Sequence, residues 1–397
     1  MLDFIPFLVL LMVVAALVNS DAVMTIFYII FGIILIGLWW NQKGIKHVKV
    51  SSKFDDHAYL FQRSELELHI ENTSILPIIW LEIHESLPVN VRNTPVQNYV
   101  ISLPPKGKYT LKYPLYTLKR GFYKLGPTSI SSGDILGITH SAEVFFEPEP
   151  FTVYPNIVNF ERLSLPSRSP FGFLKHKDPI FEDPSRIFGK RNYQEGDPFS
   201  RIDWKSSAST GELQVKIFEP AITMETILVL DLDPESYDIK KRFDGTELAI
   251  TSAASIANWS NHQKLTVGLL TNGLDPLNDM NPVSALPAQK GNQHVMMILE
   301  VLARVEVGET SPLSSLVSQA FSISAWGTTL ILITGIYTQR LLEQIIQAKR
   351  NGLNVILMLI GFSHDRTKPQ SESRQYGFTL FYLQNTLDLE MIQYSVI

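Results

Sequence analysis

The amino-acid sequence predicts a multi-domain, membrane-anchored chain: an N-terminal transmembrane helical hairpin, a β-sandwich-like domain, a connector arm and a doubly wound α/β domain. Three observations carry this assignment. Residues 4–18 and 22–40 hold no charged side chain, residues 45–155 alternate apolar and polar positions between prolines, and continuous apolar runs alternate with helical segments beyond residue 215. At 397 residues and 45% hydrophobic content the chain is long enough for two or three domains with buried cores.

The hairpin spans residues 1–40. Its second run is roughly 28 Å long as a helix, enough to cross a hydrocarbon core, and its first, at roughly 22 Å, recruits its neighbours Leu2 and Asn19. Only Asn19, Ser20 and Asp21 separate the two runs. A cleaved signal peptide fits worse, because Asp3 stands where a Lys or Arg belongs and a second span follows at once. Lys43, Lys46 and Lys49 follow the interfacial pair Trp39 and Trp40, so the positive-inside rule predicts a cell-membrane protein with two transmembrane helices and its soluble domains, residues 41–397, in the cytoplasm.

Segments such as 65–70 and 79–84 alternate with period 2, which predicts antiparallel sheet across residues 45–155. Pro77, Pro88, Pro104, Pro105, Pro114, Pro127, Pro148 and Pro150 punctuate it at loops and strand edges. Residues 156–214 form the connector. Its stretch 161–190 lacks periodicity and predicts an ordered arm whose Phe171, Phe173, Phe181 and Phe188 dock on a surface. In residues 215–397, strands are predicted at 226–230, 265–270, 330–333 and 355–360, with helices at 247–260, 294–305 and 340–349. Buried parallel strands with helices between them define a doubly wound sheet, whose ligands sit beyond the strands' carboxyl ends.

Composition narrows the chemistry. With no cysteine, every thiol nucleophile, disulfide and thiolate metal site is excluded, and 34 basic against 39 acidic residues give no field for nucleic acid. No GxxxxGK[ST] phosphate loop, GxSxG elbow or HExxH helix is present, and the nine histidines are scattered singly. The expectation is a protein that is not an enzyme.

Two segments stand out. In residues 191–205, three cations interleave with carboxylates around aromatics and a turn glycine: Arg191, Tyr193, Gly196, Asp197, Arg201, Asp203, Trp204 and Lys205 are the candidate residues. Arg191 and Arg201 can each fork onto a carboxylate, Asp197 can cap a turn or helix start after Gly196, and Trp204 can fill a slot between domains. Either a polar lock joining two domains or a partner-binding surface fits this pattern. The second segment is Asp231, Asp233 and Glu235 at the end of the first parallel strand. It reads as a solvated acidic loop, the alternative being an oxygen-ligand site for a divalent cation such as Mg²⁺.

Residues 191–205 match throughout a pattern, R-x-Y-x-x-G-D-x-x-R-x-I-D-W-K, that resembles the signature of the bacterial membrane proteins catalogued as domain of unknown function 58. Arg120, Gly121, Tyr123, Leu125, Gly126 and Pro127 resemble that family's RGxYxLGP element. Asp134, Gly137 and Ile138 resemble its DPxGL element, with Ile135 in place of proline. The resemblance implies that residues 215–397 form a von Willebrand factor A-like domain. It implies a metal-poor version, since the usual D-x-S-x-S has become Asp231, Asp233 and Glu235, and the third strand ends in Thr334 and Gly335 rather than an aspartate. Ser209 stands where the family often carries an arginine.

What the resemblance implies about function is a membrane-anchored, non-enzymatic interaction or assembly factor. Its implied partners are a MoxR-type AAA+ ATPase and other membrane proteins with a transglutaminase-like domain. The alternatives are a metal-dependent cell-envelope enzyme using the acidic loop at Asp231 and a purely structural membrane scaffold.

Overall fold

A computed structural model describes residues 9–10, 12–13, 21–91, 98–133, 140–159, 182–220, 225–308, 311–362 and 366–392. The second apolar run forms helix α1 (Asp21–Ile45), long and apolar enough to cross a membrane and almost wholly exposed along its apolar stretch. It runs past the predicted end at Trp40 to Ile45. Asp21 lies in its first turn and Lys43 in its last, each complementing the helix dipole. Residues 9–10 and 12–13 are helical, and the rest of the first predicted span lies outside the described residues.

The chain divides into two compact units. The first comprises Met1–Asn156 with Leu299–Arg304. Ten strands build three sheets: β1 (Val48–Lys53), β3 (Arg63–Asn72) and β6 (Lys108–Tyr116); β2 (His57–Tyr59), β10 (Glu149–Tyr154) and β7 (Gly121–Leu125); and β5 (Tyr99–Leu103), β4 (Ile78–Glu85), β8 (Thr128–Gly133) and β9 (His140–Phe146). The period-2 pattern sets the pleat. Leu66, Leu68 and Ile70 of β3 point inward with Leu81 and Ile83 of β4, Leu115 of β6, Ile130 of β8 and Phe151 of β10, each contributing about 1.5–3 kcal/mol by leaving water. Pro114 lies inside β6, where an edge position spares it a ladder donor. The Arg120 guanidinium is buried and donates to the carbonyls of Leu302 and Ala303, both at 3.0 Å, placing a cation at the carboxyl end of a helix. Tyr123 ties the same turn by donating to the Lys119 and Arg120 carbonyls. Residues 134–139, with Asp134, Ile135, Gly137 and Ile138, lie outside the described residues.

Glu85, at the end of β4, is buried with one donor on its carboxylate, Thr128 Oγ1 at 2.6 Å. Burial pushes its carboxyl above the ordinary value of 4.5, and the Glu149 charge adds to the rise while Thr128 and His84 oppose it. The folded state therefore holds this proton more tightly than the unfolded chain. Stability falls as pH rises from about 4.5 through the raised value. Glu85→Gln should flatten that decline and raise the melting temperature at pH 8 more than at pH 4, which thermal unfolding at both pH values measures.

The second unit comprises Ile157–Ile298 and Val305–Ile397. Its six-stranded sheet has the order β17 (Leu286–Gln289), β14 (Thr266–Thr271), β13 (Glu225–Leu230), β18 (Thr329–Thr334), β19 (Asn354–Ile360) and β20 (Thr379–Leu383), all parallel except the edge strand β17; a short ladder of β15 (Leu274–Asp275) with β16 (Asn281–Pro282) stands apart. Helices α3 (Arg242–His262), α4 (Asn292–Arg304), α5 (Leu313–Ile323), α6 (Gln339–Arg350), α7 (Thr367–Tyr376) and α8 (Thr386–Met391) connect and flank the strands. Ile227, Val229, Leu330, Leu332, Val355 and Leu357 face α5 and α6. Their neighbours Leu228, Leu230, Ile331, Ile333 and Ile356 are equally buried on the opposite face, where α3 packs. α3 approaches closely because its inner side is small: Ala249, Ser252, Ala253, Ser255 and Ala257 are buried. Ser255 accepts from the Val158 amide at 2.9 Å, which seats the chain just after the first unit's last strand.

The predicted strands at 226–230, 265–270, 330–333 and 355–360 each occur within a residue of their expected ends. β20 and the helices α5, α7 and α8 are elements that the sequence reading did not locate. The predicted arm at 161–190 becomes, from residue 182, strand β11 (Glu182–Asn192), paired antiparallel with β12 (Gln214–Pro220). Phe171, Phe173 and Phe181 lie outside the described residues, as does the side chain of Phe188.

Candidate functional site

Residues 193–213 form the loop that joins β11 to β12, and its conformation is fixed by its own polar groups. Arg191 forks onto Asp197 through two parallel hydrogen bonds of 2.6 Å, Nη1 to Oδ2 and Nη2 to Oδ1. Asp197 Oδ2 also accepts from the Gln194 amide, and Gly196 turns the chain at φ +106°. The Arg191 guanidinium, with that amide, holds the Asp197 carboxyl below its ordinary range.

Asp203 has two tasks. Its Oδ2 pairs with Lys190 Nζ at 2.8 Å and its Oδ1 accepts from the Ser206 amide, so it caps helix α2 (Trp204–Thr210). Lys190, assisted by the Ser206 amide, draws the carboxyl down as well. Ser207 Oγ bonds back to the Asp203 carbonyl and accepts from the Gln214 amide, and Gly211 closes the helix in the left-handed conformation. Both carboxylates therefore support the loop above the usual carboxylate range, and that support fades as pH falls through their depressed values.

Arg201 lies against an aromatic ring of β12. Its guanidinium lies over the Phe218 ring, 5.9 Å from the centroid. Asp197 caps a turn rather than a helix; the helix start belongs to Asp203. Trp204 is 67% exposed, because α2 is only two turns long and buries Ser207. Phe199 is 71% exposed and stacks on Tyr193, with centroids 5.9 Å apart at 23°. Lys205 is exposed beside Trp204. Ser209 lies on the outer side of α2 and donates to the Ser206 carbonyl, so an arginine there would project into solvent.

The acidic loop is assembled differently from its sequence reading. Asp231 is not solvated; it is completely buried where β13 ends between β14 and β18. Oδ1 accepts from Asn272 Nδ2 at 2.9 Å and from the Asp233 amide at 3.1 Å, and Oδ2 accepts from Thr334 Oγ1 at 2.7 Å. Asn272 Oδ1 takes the Leu232 amide at 2.6 Å in return. Three neighbouring strand ends are thereby tied by one carboxylate, which needs its donors because no water reaches it.

Tyr237, buried, donates to the Asp231 carbonyl at 2.6 Å, and burial pushes its phenol well above the ordinary range. A Cβ on Gly335 would meet the Ser236 carbonyl oxygen at 2.3 Å and the Tyr237 ring at 2.8 Å. Asp233 is spent on capping the turn at Glu235, and Glu235 is exposed. These residues do not fit a divalent cation: both Asp231 oxygens face donors, and among the described residues no three His, Cys, Asp or Glu side chains converge. At the crest where doubly wound sheets open a ligand crevice, Asp231 is packed against Asn272, Thr334 and Tyr237.

The family model described as protein of unknown function DUF58 matches residues 189–360, which contain both the braced loop and the crest at Asp231. A curated relative, the uncharacterized protein YeaD of Bacillus subtilis (strain 168), is 26% identical over 245 residues, 60% of this chain. The chain spans a little over half, 57%, of that protein's length. Among solved structures, an aerotolerance-related membrane protein from Bacteroides fragilis NCTC 9343, with multiple mutations to serines, aligns at TM-score 0.31 and 11% identity over 44% of this chain and 96% of that one. The CARDB domain of PF1109 from Pyrococcus furiosus aligns at TM-score 0.21 and 17% identity over 27% of this chain and 86% of that domain.

Proposed function

We propose that this chain is a membrane-anchored, non-enzymatic interaction or assembly factor whose soluble units lie on the cytoplasmic side, and that its partner is a MoxR-type AAA+ ATPase. One observation supports it above the rest. The signature loop spends four charged side chains, Arg191, Asp197, Lys190 and Asp203, on its own shape while holding Phe199 and Trp204 out in solvent. Exposed aromatics on a rigid base are what a protein interface places at its centre, because they bury large area at little entropic cost. A metal-dependent enzyme would need the ligand set that Asp231 has given to Asn272 and Thr334. The A-like fold implied by family resemblance, with five parallel strands of the six-stranded sheet, belongs to the same proposal.

The test is capture of the full-length protein from its own cells in mild detergent, set against a Phe199→Ala/Trp204→Ala variant. Since both side chains are exposed, the variant should melt within about 0.5 kcal/mol of the parent. The expected result is an AAA+ ATPase with the parent and at least a tenfold loss with the variant, equivalent to about 1.4 kcal/mol. Equal recovery by both proteins removes the loop from the interface, and absence of the ATPase from both overturns the partnership.

A further inference from the structure

Between Glu71 and Glu82 the chain carries no charge, and the loop from Thr73 to Pro77 joins β3 to β4 inside the first unit. Its middle residue, Ile75, is 79% exposed. A single exposed isoleucine is unremarkable on a surface, but this one sits on an unusually fixed support. Asn72, fully buried, donates through Nδ2 to the carbonyls of Leu76 (2.9 Å) and Pro104 (3.1 Å) and accepts through Oδ1 from the amide and hydroxyl of Ser74. Ser74 Oγ in turn accepts from the Leu76 amide, and the Ser74 carbonyl accepts from the Lys106 amide of the adjoining turn. Nearly every polar group that could let the loop fold Ile75 back into the core is already committed.

The same loop is fastened to the end of helix α1. Trp40 Nε1 donates to the Pro77 carbonyl at 2.9 Å, Thr73 donates through its amide and its hydroxyl to the His47 carbonyl at 3.0 and 2.7 Å, and Gly44 lies against Ile78. Only Lys46 and His47 separate α1 from β1, so no linker lets the first unit drift from its helix. Tryptophans at the end of a membrane-crossing helix lie at headgroup level. A loop bonded to Trp40 lies at that level too. The exposed side chains around it suit an interface: Trp39 and Ile79 are apolar, and Lys43, Lys46 and Lys106 can reach anionic headgroups.

The geometry points to the loop Thr73–Pro77 as a second membrane contact, in which Ile75 enters the boundary between headgroups and acyl chains of the bilayer that α1 crosses. This rests on the membrane-anchor part of the proposed function. The occupant is lipid rather than a protein groove because the attachment to Trp40 fixes the loop's depth, and because the patch is apolar with a cationic margin, which complements an anionic bilayer.

The absence of cysteine makes the test direct. Single substitutions Leu35→Cys, Ile75→Cys and Val89→Cys in the full chain, each labelled with a small fluorophore, are placed in nanodiscs of phosphatidylcholine and phosphatidylglycerol, with or without lipids carrying a nitroxide near the headgroup. Leu35 reports the helix. Val89 is 70% exposed beside the far end of the paired strands β3 and β6, roughly 25 Å from Asn72 at strand spacing. Quenching at 35 and 75 with none at 89 supports the inference. Quenching at 35 alone leaves the anchor standing and overturns the loop contact. Quenching at neither 35 nor 75 overturns both. A probe at 75 that lipid nitroxide does not quench, yet that is shielded from aqueous iodide, assigns the loop to a protein neighbour and also overturns the inference.

Discussion

Replacing Asp231 with alanine is expected to cost the α/β unit about 3–5 kcal/mol, because Thr334 Oγ1 and the Asp233 amide would lose this acceptor and Asn272 Nδ2 would lose one of its acceptors while keeping the Ser311 carbonyl, at about 1–3 kcal/mol apiece before relaxation. Asp231→Asn should cost less. It keeps the volume and one acceptor, but it turns an amide hydrogen pair toward a group that also donates. Hydrogen exchange of the amides of β13 and β18 separates this loss from events in the first unit, where protection should not change. The parent supplies its own control. If the carboxylate is bound by protein donors alone, millimolar Mg²⁺, Mn²⁺ or Ca²⁺ leaves the unfolding midpoint of the α/β unit where it was. A rise with metal would follow mass action and would mean that the Asn272 and Thr334 bonds yield to an ion.

The second large effect is expected at Gly335→Ala. The added carbon would lie 2.3 Å from the Ser236 carbonyl oxygen, a backbone atom, and 2.8 Å from the Tyr237 ring, so neither neighbour can swing aside as a flexible side chain would. Overpacking of this kind costs about 1–3 kcal/mol, and the backbone contact puts Gly335 at the upper end. Tyr237 should then lose its bond to the Asp231 carbonyl. Urea unfolding read by the fall in midpoint measures the cost. Tyr237→Phe, which keeps the ring and removes only the hydroxyl, should lose about 1 kcal/mol.

Sequence carried the sheet and much less of its surroundings. The strands of the second unit were legible because β13, β14, β18 and β19 are buried on both faces and therefore read as unbroken apolar runs. β20, an edge strand, alternates buried and half-buried positions, and α7 is polar nearly throughout, so neither announces itself. In the loop at 191–205 the residue types predicted a bidentate Arg191, and the structure has it. Nothing in the order of residues says which way Trp204 points, since that depends on how little a two-turn helix can cover. The acidic loop misled for a related reason. Charge suggests solvent, but Asp231 is placed by the polar residues that end the neighbouring strands, Asn272 and Thr334, and that pairing is a property of strand order rather than of local sequence. Asn72 and Glu85 were missed altogether, each the last residue of a strand that already alternates apolar with polar positions.

Among the described residues, the β11–β12 ribbon shares no ladder with the six-stranded sheet. Two strands alone are marginal in water, so the Arg191–Asp197 fork and the Asp203 cap add to the order that the buried Ile202 and Val215 supply. In the proposed interface, recognition and folding then rest on largely separate sets of atoms. Changes to Phe199, Trp204 or Lys205 would retune binding without reaching the interior, while the interior could accept or reject substitutions without altering what the loop presents. A lineage could exchange one partner for another by rewriting a few positions on a platform that folds as before.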